Sequence, residues 1–414
     1  MTAARRFCFL TTFYPPFNFG GDGIGVQRLA RGLAKRGYEV TVIHDADAYT
    51  VLSPHSVPEA PSPDPYGVSV VTLRSRLPII NTLLTQQLGR PLVNASRLRA
   101  LLDNGHFDVV AFNNVSLVGG PGLLGYGNGA VKLYLAHEHW LVCPTHVLWR
   151  HGRERCDGRE CLRCQIRHRR PPQLWRYTGL LDRQLAEIDA FVAMSEFSRA
   201  KHREFGFPCE MEVLPYFLPD PEPATQTPRA SRPHERPYFL YVGRLESIKG
   251  VDDLVRAFAN YGDADLLVIG DGTQSAALRE LARGNTHVHF LGRVPVDRLG
   301  PYYRHAIGLI VPSVCFETFG IILIEAFSHA TPVIARRLGP FPEIVEQSGG
   351  GELFETQDEL LAAMRALQSC PQQRRRMGEA GFEAYRTRWC ESAVIPRFLE
   401  LVERAQAARA GRPH

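Results

Sequence analysis

The sequence has no apolar run near the roughly 20 residues that a membrane-spanning helix needs, which argues against an integral membrane protein. It has little surplus charge, with a formal net charge of +5. Residues 1–214 carry 25 Lys+Arg against 19 Asp+Glu, a net +6, so the remainder is close to neutral. Within 143–183 ten arginines face four acids. The basic character is therefore one arginine-rich segment, suited to an anionic membrane surface or an acidic acceptor, and not a general nucleic-acid-binding charge. No internal repeat is visible beyond two like-built halves. Arg5-Arg6 before Phe7–Phe13 has the outline of a signal peptide, but the run is short and ends in Tyr14-Pro15-Pro16, as a first buried strand would. The expected location is cytoplasmic, with peripheral contact at the inner membrane face.

With 414 residues there is material for two ordinary domains. Short apolar strands alternate with helical patterns, so the expected class is α/β. The first series runs through Phe7–Phe13, Val40–Ile43, Val68–Leu73, Asp108–Phe112, Val131–Ala136 and Asp189–Met194, and Val213–Tyr216 closes it. Residues 46–66, rich in Pro, Ser and Asp, read as an irregular loop. Ser195 reads as the N-cap of a helix reaching Phe205. Seven prolines between Pro215 and Pro237 mark a stiff linker and the clearest domain boundary. The second series has strands at Tyr238–Val242, Asp265–Ile269, Val288–Leu291, Ile307–Val311 and Pro332–Ala335. Helix then covers 359–388, and a last amphipathic helix covers about 395–408. The expected domains are 1–216, a linker at 217–237, 238–390, and a C-terminal helix in 391–414.

The chemistry concentrates after the strand Ile307–Val311. A loop with Glu317 and Gly320 leads into a helix carrying Glu325, and Pro332 starts the next strand. Open α/β sheets bind anions at such places, where first-turn N–H groups face the carboxyl end of a strand. Here those groups belong to Phe319, Gly320, Ile321 and Ile322. A carboxylate is a poor phosphate ligand but a good acceptor for hydroxyls. Glu317 and Glu325 on either side of the turn therefore suit a hydroxylated ring, a diphosphate and a second hydroxylated ring. The plainer alternative is an acidic first turn that complements the helix dipole.

Glu317-Thr-Phe-Gly-Ile-Ile-Leu-Ile-Glu325-Ala with Thr331-Pro-Val-Ile-Ala resembles the Glu-x7-Glu signature of glycosyltransferase family 4, retaining nucleotide-sugar enzymes of the GT-B fold. The resemblance implies two Rossmann-like domains facing across a cleft, with the donor on the second and the terminal helix crossing back to the first. Gly243-Arg244-Leu-Glu-Ser-Ile-Lys249-Gly250 resembles the family's Gly-Arg-x-x-x-x-Lys-Gly motif, whose cations neutralise the departing diphosphate. Arg grips such a group bidentately and Lys as a point charge. The implied role of Glu317 is to hold sugar hydroxyls, and that of Glu325 the ribose. Gly270 and Arg293-Val294 resemble the loops near the nucleobase. With Arg, Lys and helix N–H groups at the leaving group, and with no Asp-x-Asp motif expected to hold a metal, transfer is expected without one there.

Gly20-Gly21-Asp22-Gly23-Ile24-Gly25 is weak as a dinucleotide fingerprint, since it is not an unbroken Gly-x-Gly-x-x-Gly. Its plain reading is a tight strand-to-helix turn. It resembles the family's N-terminal Gly-Gly loop, which implies that Gly21 approaches the diphosphate and Asp22 and Gly23 the acceptor. His137-Glu138-His139 is not a zinc-protease pattern. The family has a His at the end of this strand that touches the donor sugar, and His137 inherits that role. Same-face attack needs neither Glu317 nor His137 as a covalent nucleophile.

Four of nine cysteines, Cys143, Cys156, Cys161 and Cys164, are spaced C-x12-C-x4-C-x2-C within a Cys/Arg-rich insertion at 143–172. Tetrahedral zinc of structural use, an iron–sulfur cluster and free thiols in a loop all remain open. The expected function is transfer of a hexosyl group with retention from a nucleotide-diphosphate sugar to a hydroxyl on a saccharide, lipid-linked or small-molecule acceptor. The alternatives are a GT-B nucleotide-sugar epimerase, or a metal-stabilised protein that binds nucleic acid or an acidic polymer on a vestigial transferase body.

Overall fold

The fold is that of a computed structural model, which describes residues 5–53, 63–221 and 231–411. The chain divides into two compact units, residues 1–216 with 394–414, and residues 217–393.

Unit one is built on a seven-stranded parallel sheet. Its strands are β1 (Arg6–Thr11), β2 (Glu39–Asp45), β3 (Ser69–Leu73), β4 (Val109–Phe112), β5 (Val131–Ala136), β8 (Ala190–Ala193) and β9 (Met211–Val213). A separate antiparallel ladder pairs β6 (Trp149–Arg150) with β7 (Glu154–Arg155). The sheet order is β3-β2-β1-β4-β5-β8-β9. Its central strands are apolar on both faces because helices cover both sides. Phe7 and Phe9 of β1 are fully buried, and Phe398 of the terminal helix Glu391–Ala410 closes over them at 6.2 and 6.4 Å between ring centres. Removing that ring should cost about 3–5 kcal/mol.

Unit two has a six-stranded parallel sheet in the order β12-β11-β10-β13-β14-β15. The strands are β10 (Tyr238–Val242), β11 (Asp265–Ile269), β12 (Val288–Gly292), β13 (Leu309–Val311), β14 (Val333–Arg336) and β15 (Gly351–Phe354). Phe239, Leu254, Phe258, Val268, Ile310 and Met364 belong to one continuous core. In each unit the strand order reverses next to the first strand, at β1/β4 and at β10/β13. Open α/β sheets bind ligands at such points.

Several expected boundaries are corrected. Residues 46–66 are not all loop: Ala46–Leu52 is a helix capped by Asp45, whose carboxylate accepts from the Asp47 N–H at 2.8 Å. Residues 54–62 of that stretch and 222–230 of the Pro-rich linker lie outside the described residues. The helix expected over 359–388 is two, Gln357–Ser369 and Pro371–Ala384. Pro371 lacks the N–H that a continuous helix would use and starts the second one instead. Elements that escaped the sequence reading include the edge strand β15, the β6–β7 ladder and the helices Pro78–Leu88, Cys161–Arg167 and Leu180–Leu185.

Candidate active site

In unit two the loops after β10 and β13 are fastened together. Ser247–Lys249 forms a tight 3-10 turn and Gly250 follows at φ +64°. A Cβ on Gly250 would lie 2.3 Å from the Pro312 carbonyl oxygen, so only glycine lets the two loops pack. The Val314 N–H donates to the Ile248 carbonyl at 3.0 Å. That register brings Lys249 Nζ to 2.5 Å from Glu317 Oε1, and the Ser313 hydroxyl donates to the same oxygen at 3.2 Å. Burial pulls against the Lys249 charge, but the Glu317 carboxylate outweighs it and holds the ammonium well above its usual range. The result is a half-buried cation and carboxylate fixed beside the start of the helix Ile321–Phe327. Only that part of the Glu317–Glu325 segment is helical. Gly320 precedes the helix with no side-chain cap, and Glu325 accepts from the buried Tyr303 hydroxyl at 3.2 Å.

Arg244 engages a different carboxylate. Its side chain is 61% exposed and its guanidinium lies 3.1 Å from Glu246. Gly270 and Gly272 serve packing: added Cβ atoms would lie 1.8 Å from the Gly243 oxygen and 2.5 Å from the Leu245 oxygen. They let the β11 loop lie on the Arg244 loop, where the Leu245 N–H donates to the Asp271 carbonyl at 3.0 Å. Arg293 is exposed and 4.0 Å from Asp271.

In unit one, His137 follows β5 and is almost buried. Asn113 spends its amide N–H groups on the Leu10 and Ala111 carbonyls, at 3.2 and 3.0 Å, so its Oδ1 faces the His137 Nε2 at 2.9 Å. Nε2 must therefore donate, and Nδ1 accepts from the Tyr216 hydroxyl at 2.6 Å. Burial pushes the imidazole down to about 3, so it is neutral with both nitrogens engaged. This arrangement orients the ring and does not leave it free to shuttle protons. Gly25, in the helix Gly21–Ala34, is what admits Tyr216, whose Cε1 would lie 2.3 Å from a Cβ there. Asp22 lies in the first turn of that helix and accepts from the Asn114 amide at 3.2 Å. Burial and the Glu138 carboxylate raise its pKa. Gly21 is exposed, whereas Gly23 is packed against Asn18 and the Phe13 carbonyl. Asn113 and Tyr216 were missed in the sequence, where nothing marks an Asn after β4 or a Tyr near a linker as partners of a His.

The expectation that the chain holds no Asp-x-Asp motif is corrected: Asp45-Ala-Asp47 and Asp263-Ala-Asp265 both have that spacing. Asp47 accepts from the Ser75 N–H at 3.0 Å and from the Asn81 amide at 3.0 Å, and the Asn81 amide also donates to Asp45 at 3.4 Å. Burial and the Asp47 charge push Asp45 up to about 7. Asp265, 2% exposed, opens β11 at the end of the sheet opposite the Lys249–Glu317 pair. His234, His287 and His289 surround it at 2.7, 3.0 and 3.1 Å, with Arg236 at 3.0 Å. Burial alone would raise its pKa, but those hydrogen bonds hold it well below the carboxylate range. The ligand atoms of His234, Asp265 and His289 all lie within 4.8 Å of one another. The Arg236 guanidinium on the same carboxylate opposes a cation there, and the cluster reads as an ion-pair knot.

Two parallel-sheet units with loops gathered at their topological switch points define the GT-B architecture. Comparisons with known proteins agree. A model described as Glycosyltransferase Family 4 matches residues 19–219, and one described as Glycosyl transferases group 1 matches residues 224–384. A GDP-mannose-dependent alpha-(1-6)-phosphatidylinositol monomannoside mannosyltransferase of Mycobacterium tuberculosis is 28% identical over 53% of this chain, a match spanning 63% of that relative's length. A phosphatidyl-myo-inositol mannosyltransferase of Mycobacterium leprae is 26% identical over 94% of this chain and 95% of its own. The solved sucrose-phosphate synthase of Thermosynechococcus elongatus superposes with a TM-score of 0.70 at 20% identity, over 98% of this chain and 100% of that one, a likeness of fold. The chain belongs to glycosyltransferase family 4.

Proposed function

We propose that the protein transfers a hexosyl group from a nucleotide-diphosphate sugar to an acceptor hydroxyl, with retention of configuration and without a metal at the diphosphate. The observation that carries this is the Lys249–Glu317 pair, held at the switch point of unit two with Ser313 behind it. Lys249 faces the departing phosphate and Glu317 the sugar hydroxyls. Arg244, whose exposed guanidinium can turn away from Glu246, adds a bidentate grip, and the N–H groups of Phe319, Gly320 and Ile321 complete the anion site. Glu325 holds the ribose, and Gly270, Arg293 and Val294 border the nucleoside. In unit one, His137 offers an oriented neutral ring, and the family resemblance assigns it to the sugar, Gly21 to the diphosphate, and Asp22 and Gly23 to the acceptor. The acceptor oxygen forms its bond to the anomeric carbon as the bond to phosphate oxygen breaks. The leaving phosphate takes the acceptor's proton, and Lys249 and Arg244 stabilise the charge that remains.

The acceptor is best read as lipid-borne. Both relatives are named for phosphatidylinositol-linked substrates. In this chain Leu77, Ile79, Ile80, Leu83 and Leu88 are exposed on and beside the helix Pro78–Leu88. Residues 74–102 contain five arginines and no Asp or Glu. An apolar helix face among cations suits an anionic lipid surface better than the 143–172 segment does. There Arg150 pairs with Glu154 and Asp157, and the nearby Arg176, close to the Trp140 and Trp175 rings, donates to the Trp140 carbonyl. No described helix is long and apolar enough to cross a membrane. Flotation with phosphatidylglycerol vesicles should carry the protein and leave Ile79→Glu/Leu83→Glu behind. Equal flotation of the two would remove this surface from the reading.

The donor test is nucleotide release from UDP-, GDP-, dTDP- and ADP-sugars in the presence of EDTA. One donor should be hydrolysed slowly, and Lys249→Ala should abolish that. Hydrolysis that depends on added Mg²⁺ would overturn the metal-independent reading. Turnover unchanged in Lys249→Ala would overturn the site.

A further inference from the structure

Between β5 and β8 the chain builds a segment that the donor chemistry does not use. Cys143, Cys156, Cys161 and Cys164 come from a turn, the end of the β6–β7 ladder and the helix Cys161–Arg167, yet all four line one small cavity of about 20 Å³. That is room for a single atom or ion, since a water needs roughly 10–15 Å³ by the same measure. We propose that the four thiols bind one structural Zn²⁺ as a tetrathiolate site.

Three further observations support a metal staple here. The first is backbone strain. Six non-glycine residues in the described chain have positive φ, and four of them, His146, Leu148, His151 and Arg169, fall in this segment. Each left-handed residue costs about 1–2 kcal/mol, so something must over-determine the loop. The second is a thin core. Residues 143–172 have two 2-residue strands and one 7-residue helix, and Leu162 and Ile166 on that helix are 49% and 63% exposed. Apolar burial alone is a poor source of stability for such a unit, and a structural metal is the usual substitute. The third is charge. Four thiols that each lose a proton to one Zn²⁺ form a dianionic centre with four protons released. It would sit among ten arginines and four acids within 143–183. The His151 N–H already donates to Cys164 Sγ at 3.3 Å, the kind of outer contact that steadies a thiolate ligand.

Zinc–sulfur bonds of about 2.3 Å set tetrahedral sulfurs about 3.8 Å apart, and since the four cysteines do not already form a close ligand cluster among the described residues, binding requires the thiols to move inward. Pro144, Glu160 and Cys161 also line a second cavity of about 680 Å³, with Leu141, Arg176 and Phe207 on its other walls. The metal would thereby fix one wall of a space large enough for a ligand.

The test uses the full chain, purified from zinc-supplemented cells under reducing conditions without chelator. Elemental analysis should find about one zinc per chain, released on titration of the thiols with a mercurial. Cobalt exchanged into the protein should show the charge-transfer and d–d bands of a tetrahedral thiolate site. Cys156→Ser/Cys161→Ser should lose the metal and be cut by trypsin within 150–170 at least about tenfold faster. The wild-type measurements decide the matter even if the variant fails to fold. Less than about a tenth of a zinc per chain with all four thiols alkylatable overturns the proposal. So do two disulfides in the native protein, or iron with acid-labile sulfide in place of zinc.

Discussion

Lys249→Met keeps the aliphatic stem and removes the charge that lies 2.5 Å from Glu317. It leaves the carboxylate with the Ser313 hydroxyl among the partners described above, and both members of the pair are about one-quarter exposed (26% and 25%). An unpaired charge so placed should destabilise unit two by about 1–3 kcal/mol. Glu317→Gln strands the ammonium at a similar cost. The double variant Lys249→Met/Glu317→Gln has neither charge, so its loss should fall short of the sum by about 1 kcal/mol or more. Catalysis should behave differently. Lys249 is assigned to charge that appears only as the bond to phosphate breaks, so its loss should lower kcat by about 10²–10³-fold, or about 3–4 kcal/mol. The double variant should recover stability but no activity. Urea denaturation and donor turnover on the same four proteins test both halves. A Lys249→Met enzyme with kcat within about threefold of wild type would refute the role at the leaving group. Activity restored in the double variant would reduce the pair to a structural ion pair.

Gly250→Ala combines a left-handed φ with a Cβ 2.3 Å from the Pro312 oxygen. It should cost about 2–4 kcal/mol by urea denaturation and weaken donor binding, because the loops must part. A neutral result would show that the loops are not clamped as described. Tyr216→Phe removes the hydroxyl that donates to the buried His137 Nδ1 and should cost about 1–3 kcal/mol, with kcat falling as the ring loses that orienting contact. Unchanged stability and rate would refute the network. His202 is fully buried, its Nδ1 donates to the Ser198 carbonyl at 2.8 Å, and burial pushes its pKa down to about 4. Between the unfolded pKa near 6.5 and that value, the unfolded chain binds a proton that the folded chain does not. Folding therefore weakens by about 1.4 kcal/mol per pH unit as pH falls through that window. In His202→Phe the slope of stability against pH between 6.5 and 4 should be shallower by that amount, and an unchanged slope would show that His202 does not titrate there.

The sequence alone determined what short-range pattern can carry. Runs such as Asp265–Ile269 and Val131–Ala136 are largely apolar because parallel strands are covered on both faces, and their order marks an α/β chain. Glycines and charges at strand ends pointed to the loops of the Lys249–Glu317 site, because a backbone that must approach a neighbour closely leaves glycine in the sequence. The interior of 359–388 misled because both helices have similar periodicity and only Pro371 divides them. The helix Pro78–Leu88 went unread since its apolar residues include an outward face, so no single buried stripe appears.

Tertiary structure decided the pairings. Lys249 and Glu317 are 68 residues apart, and the distance between them depends on the packing of Gly250 against Pro312. The tautomer of His137 follows from Asn113 and Tyr216, which stand 24 and 79 residues away. Asp45-Ala-Asp47 and Asp263-Ala-Asp265 share a spacing, yet one caps a helix and the other anchors a knot of histidines, because a carboxylate's role is set by the donors that the fold turns toward it. Side-chain chemistry is written in the sequence, whereas the partner of each group is a property of chain crossings that local pattern does not encode.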